Sequence, residues 1–160
     1  MAKNDKTNVM RVLEQHRIPY IPHTYGDGST SLSGTEVAEM LGEDPFSVFK
    51  TLVTVGRSGQ HYVFVIPVCC ELDLKKAAET VGEKNIEMIK SKELLPLTGY
   101  IHGGCSPIGM KKQFPTVVDI SARDLPKILF SGGRIGFQVE VSPADLTAVV
   151  PIRYADLTEI

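Results

Sequence analysis

Lys50 is the first residue whose type and setting point to chemistry. It lies inside Val48-Phe49-Lys50-Thr51-Leu52-Val53, a run rich in β-branched and aromatic residues that reads as a strand. Period-two alternation puts Lys50 on one face with Val48 and Leu52, and Phe49, Thr51 and Val53 on the other. Both faces are largely apolar. A lysine ammonium is rarely buried without a partner, so this one needs a cleft, an ion pair, or a stem that snorkels to the sheet edge.

The segment His102-Gly103-Gly104-Cys105-Ser106-Pro107-Ile108-Gly109 is the second candidate. Gly103 and Gly104 permit positive φ and close approach, and Ser106-Pro107 reads as the N-cap and first residue of a helix. A loop of this kind either presents N–H groups to a phosphate, a carboxylate or a developing oxyanion, or is simply a tight turn. It has neither G-x-x-x-x-G-K-[ST] nor G-x-G-x-x-G, so nucleotide-binding folds gain no support. Cys105 is open to two readings, a thiol nucleophile near His102 or a small buried apolar residue, and the second is the commoner fate of cysteine. Ser131-Gly132-Gly133-Arg134 reads as a two-residue hairpin turn that could close the far wall of a pocket.

Other chemistries are disfavoured. The histidines His16, His23, His61 and His102 have no H-x-x-x-H or H-x-x-E-H spacing, so no metal is expected. Cys69, Cys70 and Cys105 form no C-x-x-C pair, and the start MAKNDKTN is hydrophilic, which fits a reducing cytoplasm. The longest apolar stretch, Tyr62 to Cys70, contains Pro67 and falls far short of the ~20 residues that span a bilayer. With 160 residues, 42% hydrophobic and 22% charged, the chain is read as one domain over residues 1–160, able to bury roughly 70% of its unfolded surface without disulfides.

Net charge is 17 minus 19, or -2, which excludes a broadly basic nucleic-acid protein. The charge is unevenly placed. Residues 101–137 carry Lys111, Lys112, Arg123, Lys127 and Arg134 against Asp119 and Asp124, a net of +3, while residues 138–160 carry Arg153 against Glu140, Asp145, Asp156 and Glu159, a net of -3. A local basic face is therefore expected, with weak intrinsic affinity for a long nucleic acid.

These residues need elements to position them. Val9, Val12, Leu13 and His16 predict a helix over Asn8 to Arg17, followed by an extended Tyr20 to Tyr25. Ser33-Gly34-Thr35-Glu36 is a capping box for a helix from Gly34 to Leu41, stopped by Gly42. Asp44-Pro45 opens one further turn. Val48 to Val55 and Tyr62 to Val68 predict a hairpin through Gly56-Arg57-Ser58-Gly59, Asp73 caps a helix from Leu74 to Val81, and Ile86 to Ile89 is a short strand. Residues 99–136 hold seven of the fourteen glycines. Strands are expected at Thr116 to Ile120, Lys127 to Phe130 and Phe137 to Val141. This alternation favours an α+β domain with a curved mixed or antiparallel sheet and short flanking helices over a doubly wound fold.

Phe49-Lys50-Thr51-Leu52, Leu72-Asp73-Leu74-Lys75-Lys76, Gly103 through Lys112, and Ser131-Gly132-Gly133-Arg134 together resemble the YbaK/EbsC family, in order and over roughly Ile18 to Leu146. That family is the free-standing relative of the editing domain inserted in bacterial prolyl-tRNA synthetases. Its best-known branch removes cysteine from mischarged Cys-tRNA(Pro) in trans. The resemblance implies a partly barrel-like mixed sheet, no cofactor, an aminoacyl-tRNA substrate with tRNA(Pro) foremost, and prolyl-tRNA synthetase as a partner. It assigns Lys50, Gly103 and Gly104 to catalysis and Tyr20, Thr51, Ser106, Ser131, Gly132 and Gly133 to substrate binding. Lys111, Lys112 and Arg134 become tRNA contacts. Two positions depart from similar proteins: Gln138 stands where relatives often have an acid, and Ser33 where they often have an aromatic. An aminoacyl ester has a good leaving group, so positioning and charge stabilisation suffice for its hydrolysis. Alanyl or seryl esters, and a non-catalytic module that binds tRNA or a synthetase, are the alternative expectations.

Overall fold

The computed structural model describes residues 6–159. Helix α1 (Asn8–Gln15) starts at Thr7, whose hydroxyl accepts the Met10 N–H, and it buries Val9, Met10 and Leu13. Helix α2 (Gly34–Leu41) has the expected reciprocal bonds between Ser33 and Glu36 and ends on Gly42 at φ 67°. Asp73 accepts the N–H groups of Lys75 and Lys76 to open α3 (Leu74–Val81). Each cap satisfies donors that the first turn would otherwise leave unpaired.

Two sheets carry the strands. The larger has the order β4 (Ile86–Met88), β2 (Phe49–Gly56), β3 (His61–Pro67), β5 (Thr116–Asp119), β8 (Ile152–Ala155), and it is mixed because β3–β5 and β5–β8 are parallel. The smaller is antiparallel, with the order β1 (Ile21–Thr24), β7 (Phe137–Val141), β6 (Ile128–Ser131). A parallel bridge, Val48 to Leu129, joins them. The mixed α+β expectation holds. Among the described residues no ladder closes the sheets into a barrel.

The main core lies between the sheets and α1, with Phe49, Val53, Val63, Val65, Phe130 and Val139 facing one another. On the other side of the larger sheet, Phe64 and Ile66 pack under Ala77 and Ala78 of α3. Both faces of β3 are thus covered, which is why its sequence is continuously apolar. A third cluster, Ala38, Val48, Val68 and Leu129, seats α2.

Three features differ from expectation. Ser106-Pro107 begins no helix; the Ser106 hydroxyl accepts the Ile108 N–H at 3.3 Å, a bond that closes a local turn instead. The Gly132-Gly133 turn is not a two-residue hairpin. The last cross-strand pair is Ser131 with Gln138, and the loop between them turns through Gly133 and Gly136 at φ 101° and 95°. Sequence patterning also leaves out α4 (Ser91–Thr98), α5 (Pro143–Thr147) and β8. Helix α4 carries an internal Pro96 and begins after a lysine, Lys90, rather than a preferred cap residue.

Glu140 of β7 ties the smaller sheet together. It is 8% exposed, bonded to His23 of β1 at 2.8 Å and to Lys127 just before β6, with Glu43 close by. Burial pushes its carboxyl up, but the bonds from Lys127 and His23 overcome this and hold it below the ordinary value. A carboxylate with a lowered folded pKa stabilises the fold above its unfolded value, and that stability is lost as pH falls through the folded one. Lys127→Met is therefore expected to move acid unfolding, followed by circular dichroism, to a higher pH. An unchanged midpoint would show that the pair contributes nothing.

Candidate active site

Strand β2 sets the site through what it lacks. Val68 donates to the Val48 carbonyl and Gly56 to the Gln60 carbonyl, so even-numbered residues of β2 bond to β3 and odd-numbered ones point the other way. On that side β4 pairs only with Thr54 to Gly56, Ile89 donates to the Val53 carbonyl, and the one bridge to β6 is at Val48, just before β2. Among the described residues, the backbone of Thr51 pairs with no strand on that side.

A cavity of about 460 Å³ occupies this gap. Lys50 and Thr51 line it from β2, Ser131 and Gln138 from the smaller sheet, Ser33, Gly34 and Val37 from α2, and Lys90, Ser91 and Leu94 from α4 and its approach. His102, Gly103 and Cys105 close one side, and Tyr25 another. Among the described residues no aspartate or glutamate lines the cavity, whereas two lysines do. The first turns of α2 and α4 open onto the same space, and helix N-termini add positive potential. The charged groups of the lining are therefore basic, with Glu36 and Glu93 held back in the capping boxes of the two helices.

Lys50 is half-buried, with 30% of its side chain exposed. Its nearest carboxylate, Glu71, lies 3.9 Å away and is 81% exposed, a pairing too solvated to neutralise it. The lysine is therefore available to a ligand. Of the readings open from sequence, the structure shows a cleft together with a solvated ion pair.

The glycine loop acts mostly through shape. Gly103 lines the cavity at φ 89°, and a side chain there would collide with Ser31. Gly104 sits behind it; its N–H is committed to the Ile101 carbonyl at 2.9 Å, and a Cβ would lie 3.1 Å from the Arg134 Cα. The two glycine loops thus touch backbone to backbone, as only glycine allows. Tyr100 holds the first loop from below by donating to the Ile108 carbonyl at 2.5 Å.

The remaining expected residues divide. Ser131 and Thr51 face the cavity, whereas Gly132 and Gly133 support it, their N–H groups donated to the Phe137 carbonyl and the Ser131 hydroxyl. Ser106 is fully buried in its turn. Tyr20 precedes β1 and donates to Glu14 at 2.6 Å, outside the cavity lining; burial and the Glu14 carboxylate push its phenol up to about 12. Tyr25 occupies the lining instead. Lys111, Lys112 and Arg134 are exposed and do not line the cavity; Lys112 lies 5.8 Å from the Phe114 ring and Arg134 4.8 Å from that of Phe137. Sequence reading missed Lys90 and Ser91. The signal that could have found them is Glu93, which accepts the Lys90 N–H three residues earlier, followed by Leu94, Leu97 and the closing Gly99.

Cys105 faces the cavity, but burial pushes its thiol up to about 12. Below that pH it stays protonated and is a poor nucleophile. Iodoacetamide at pH 8 is expected to modify the exposed Cys69 well before Cys105, as read by peptide mass spectrometry. Preferential labelling of Cys105 would restore the nucleophile reading.

Comparison with known proteins agrees with this geometry. The aminoacyl-tRNA editing domain family matches residues 31–149. A proposed Cys-tRNA(Pro)/Cys-tRNA(Cys) deacylase of Enterococcus faecalis, EbsC, is 46% identical over 161 residues, covering 99% of this chain and 98% of that protein. The proline–tRNA ligase of Shouchella clausii is 30% identical over 122 residues, 74% of this chain but 21% of the ligase. Among solved structures, a proposed trans-editing enzyme for prolyl tRNA synthetase superposes with a TM-score of 0.83 at 26% identity, with 100% of each chain covered.

Proposed function

Because the chain belongs to the aminoacyl-tRNA editing domain family, we propose that it is a trans-acting deacylase that hydrolyses mischarged tRNA, with Cys-tRNA(Pro) as its foremost substrate. The observation that carries this reading is Lys50, a cation with only a solvated partner, in a cavity free of carboxylates. The ester carbonyl develops negative charge as it is attacked. Lys50 and the Gly103 N–H stabilise that charge, and preorganised donors of this kind supply much of the rate in acyl transfer. The Gly104 N–H, already bonded, contributes by position alone.

In hydrolysis, water adds to the carbonyl, the bond to the ribose oxygen breaks, and that oxygen leaves with a proton. With a cysteinyl ester the substrate's own sulfur can bond to the carbonyl carbon in place of water. Either route dispenses with a protein nucleophile, which fits a protonated Cys105. The Thr51 carbonyl, on the side of β2 where neither β4 nor β6 pairs with it, can accept the substrate's α-amino group.

Lys90 and the first turns of α2 and α4 face the position a terminal phosphate would take, with Arg134 near the mouth. Lys111 and Lys112 would touch the acceptor stem further out. These few charges cannot hold a whole tRNA tightly. A prolyl-tRNA synthetase holding the tRNA body would supply the remainder. The relevant site is then the cytoplasm, where translation occurs.

Purified Lys50→Ala and Lys50→Arg are each expected to lose roughly a hundredfold or more in deacylation of Cys-tRNA(Pro), with unchanged melting curves. Full activity in Lys50→Ala would reject the mechanism. Salt-sensitive tRNA binding by wild type without turnover of any ester would instead make the chain a binding module.

A further inference from the structure

Ser131 and Gln138 face each other across β6 and β7, and register partners of this kind have Cβ atoms roughly 5 Å apart. Both line the cavity, and both are more than nine-tenths buried, at 9% and 6% exposed. Their hydrogen bonding is incomplete. The Gln138 Oε1 has no partner, and although the Ser131 hydroxyl oxygen accepts the Gly133 N–H at 3.1 Å, it donates to no group among the described residues. A buried acceptor and a buried donor, side by side and unmatched, cost stability unless a ligand completes them.

The surroundings indicate which part of a ligand that is. Val37, Val48 and Val68 also line the cavity, Val48 and Val68 sharing their cluster with Leu129, whose register partner is Glu140 on the Gln138 face of β7. Apolar side chains thus stand beside the pair, with His23 the neighbour of Gln138 across β1 and the Thr51 hydroxyl the other unmatched buried group of the lining. An α-ammonium can only donate, so it would leave the Ser131 proton unmatched, and it has the Thr51 carbonyl elsewhere. A methyl group can neither donate nor accept. A thiol or hydroxyl does both.

We propose that Gln138, with Ser131 beside it, determines specificity by taking the side-chain thiol or hydroxyl of the aminoacyl group. Cysteinyl and seryl esters are thereby selected over the alanyl ester of the same tRNA. This rests on the deacylase reading and adds a chemical criterion to it: the site reads hydrogen-bonding capacity, where size alone separates such side chains weakly.

The test compares Cys-, Ser- and Ala-tRNA(Pro) as substrates for wild type and Gln138→Leu. Wild type is expected to favour the first two. In Gln138→Leu, the Cys:Ala and Ser:Ala ratios of kcat/KM are expected to fall roughly 10- to 100-fold, the range that follows from leaving one buried polar group unpaired. A parallel fall on all three esters with the ratios preserved would overturn the proposal, since Gln138 would then contact a part they share. A second measurement needs no variant: wild type should bind a non-hydrolysable 3′-seryl-amide of 3′-amino-3′-deoxyadenosine at least tenfold more tightly than the alanyl-amide, and equal affinities would overturn the proposal. Failure of wild type to cleave any ester would reject the deacylase reading, while the amide ratio would still read the pocket.

Discussion

The site depends on one interruption in strand pairing. Strand β2 is bonded to β3 along its whole length, but its other edge is divided between β4 at one end and the single Val48–Leu129 bridge at the other. Backbone groups between those contacts have no strand to satisfy them. Continuous pairing would fill that space with a neighbouring strand and bury Lys50 against it. Because the pairing stops, the gap becomes a cavity, and a lysine that would be costly inside a closed sheet faces a space a ligand can enter.

Glycines make the cavity's walls possible. Gly103 and Gly104 lie against the Ser131–Phe137 loop so closely that side chains would meet Ser31 or the Arg134 backbone. Gly34 has a similar constraint, since a Cβ there would fall 2.5 Å from Val68 Cγ1. These contacts bring α2, the two loops and β2 within reach of one small molecule. Hydrogen-bonding capacity in the loops is largely spent on the fold itself, as in the Gly104, Gly132 and Gly133 N–H bonds.

Electrostatics then divides the molecule. Lys50 and Lys90 line the cavity, and among the described residues no carboxylate does. The acidic groups Glu43 and Glu140 are instead bound into the His23 and Lys127 network of the smaller sheet. A net charge of -2 is therefore compatible with an anionic ligand. The basic side chains recognised from sequence do not line the cavity, and Lys90, which joins Lys50 in the lining, belongs to a different stretch of chain.

Local chemistry determined much of this protein from sequence alone. The capping box at Ser33, the Asp73 cap, the β2–β3 hairpin and β7 follow from side-chain periodicity and from donors that need partners within a few residues. The unusual setting of Lys50 was also legible, because an apolar strand rarely tolerates an isolated ammonium. Tertiary structure alone decided the rest. Helix α4 forms despite Pro96, and Ser106-Pro107 does not start a helix, since packing against neighbours outweighs local preference at both places. Tyr25 rather than Tyr20, Lys90 rather than Lys111, and the unmatched pair of Ser131 and Gln138 face the cavity because residues distant in sequence meet there. That meeting is set by the point where β2 loses its neighbour, a relation between strands that no local pattern encodes.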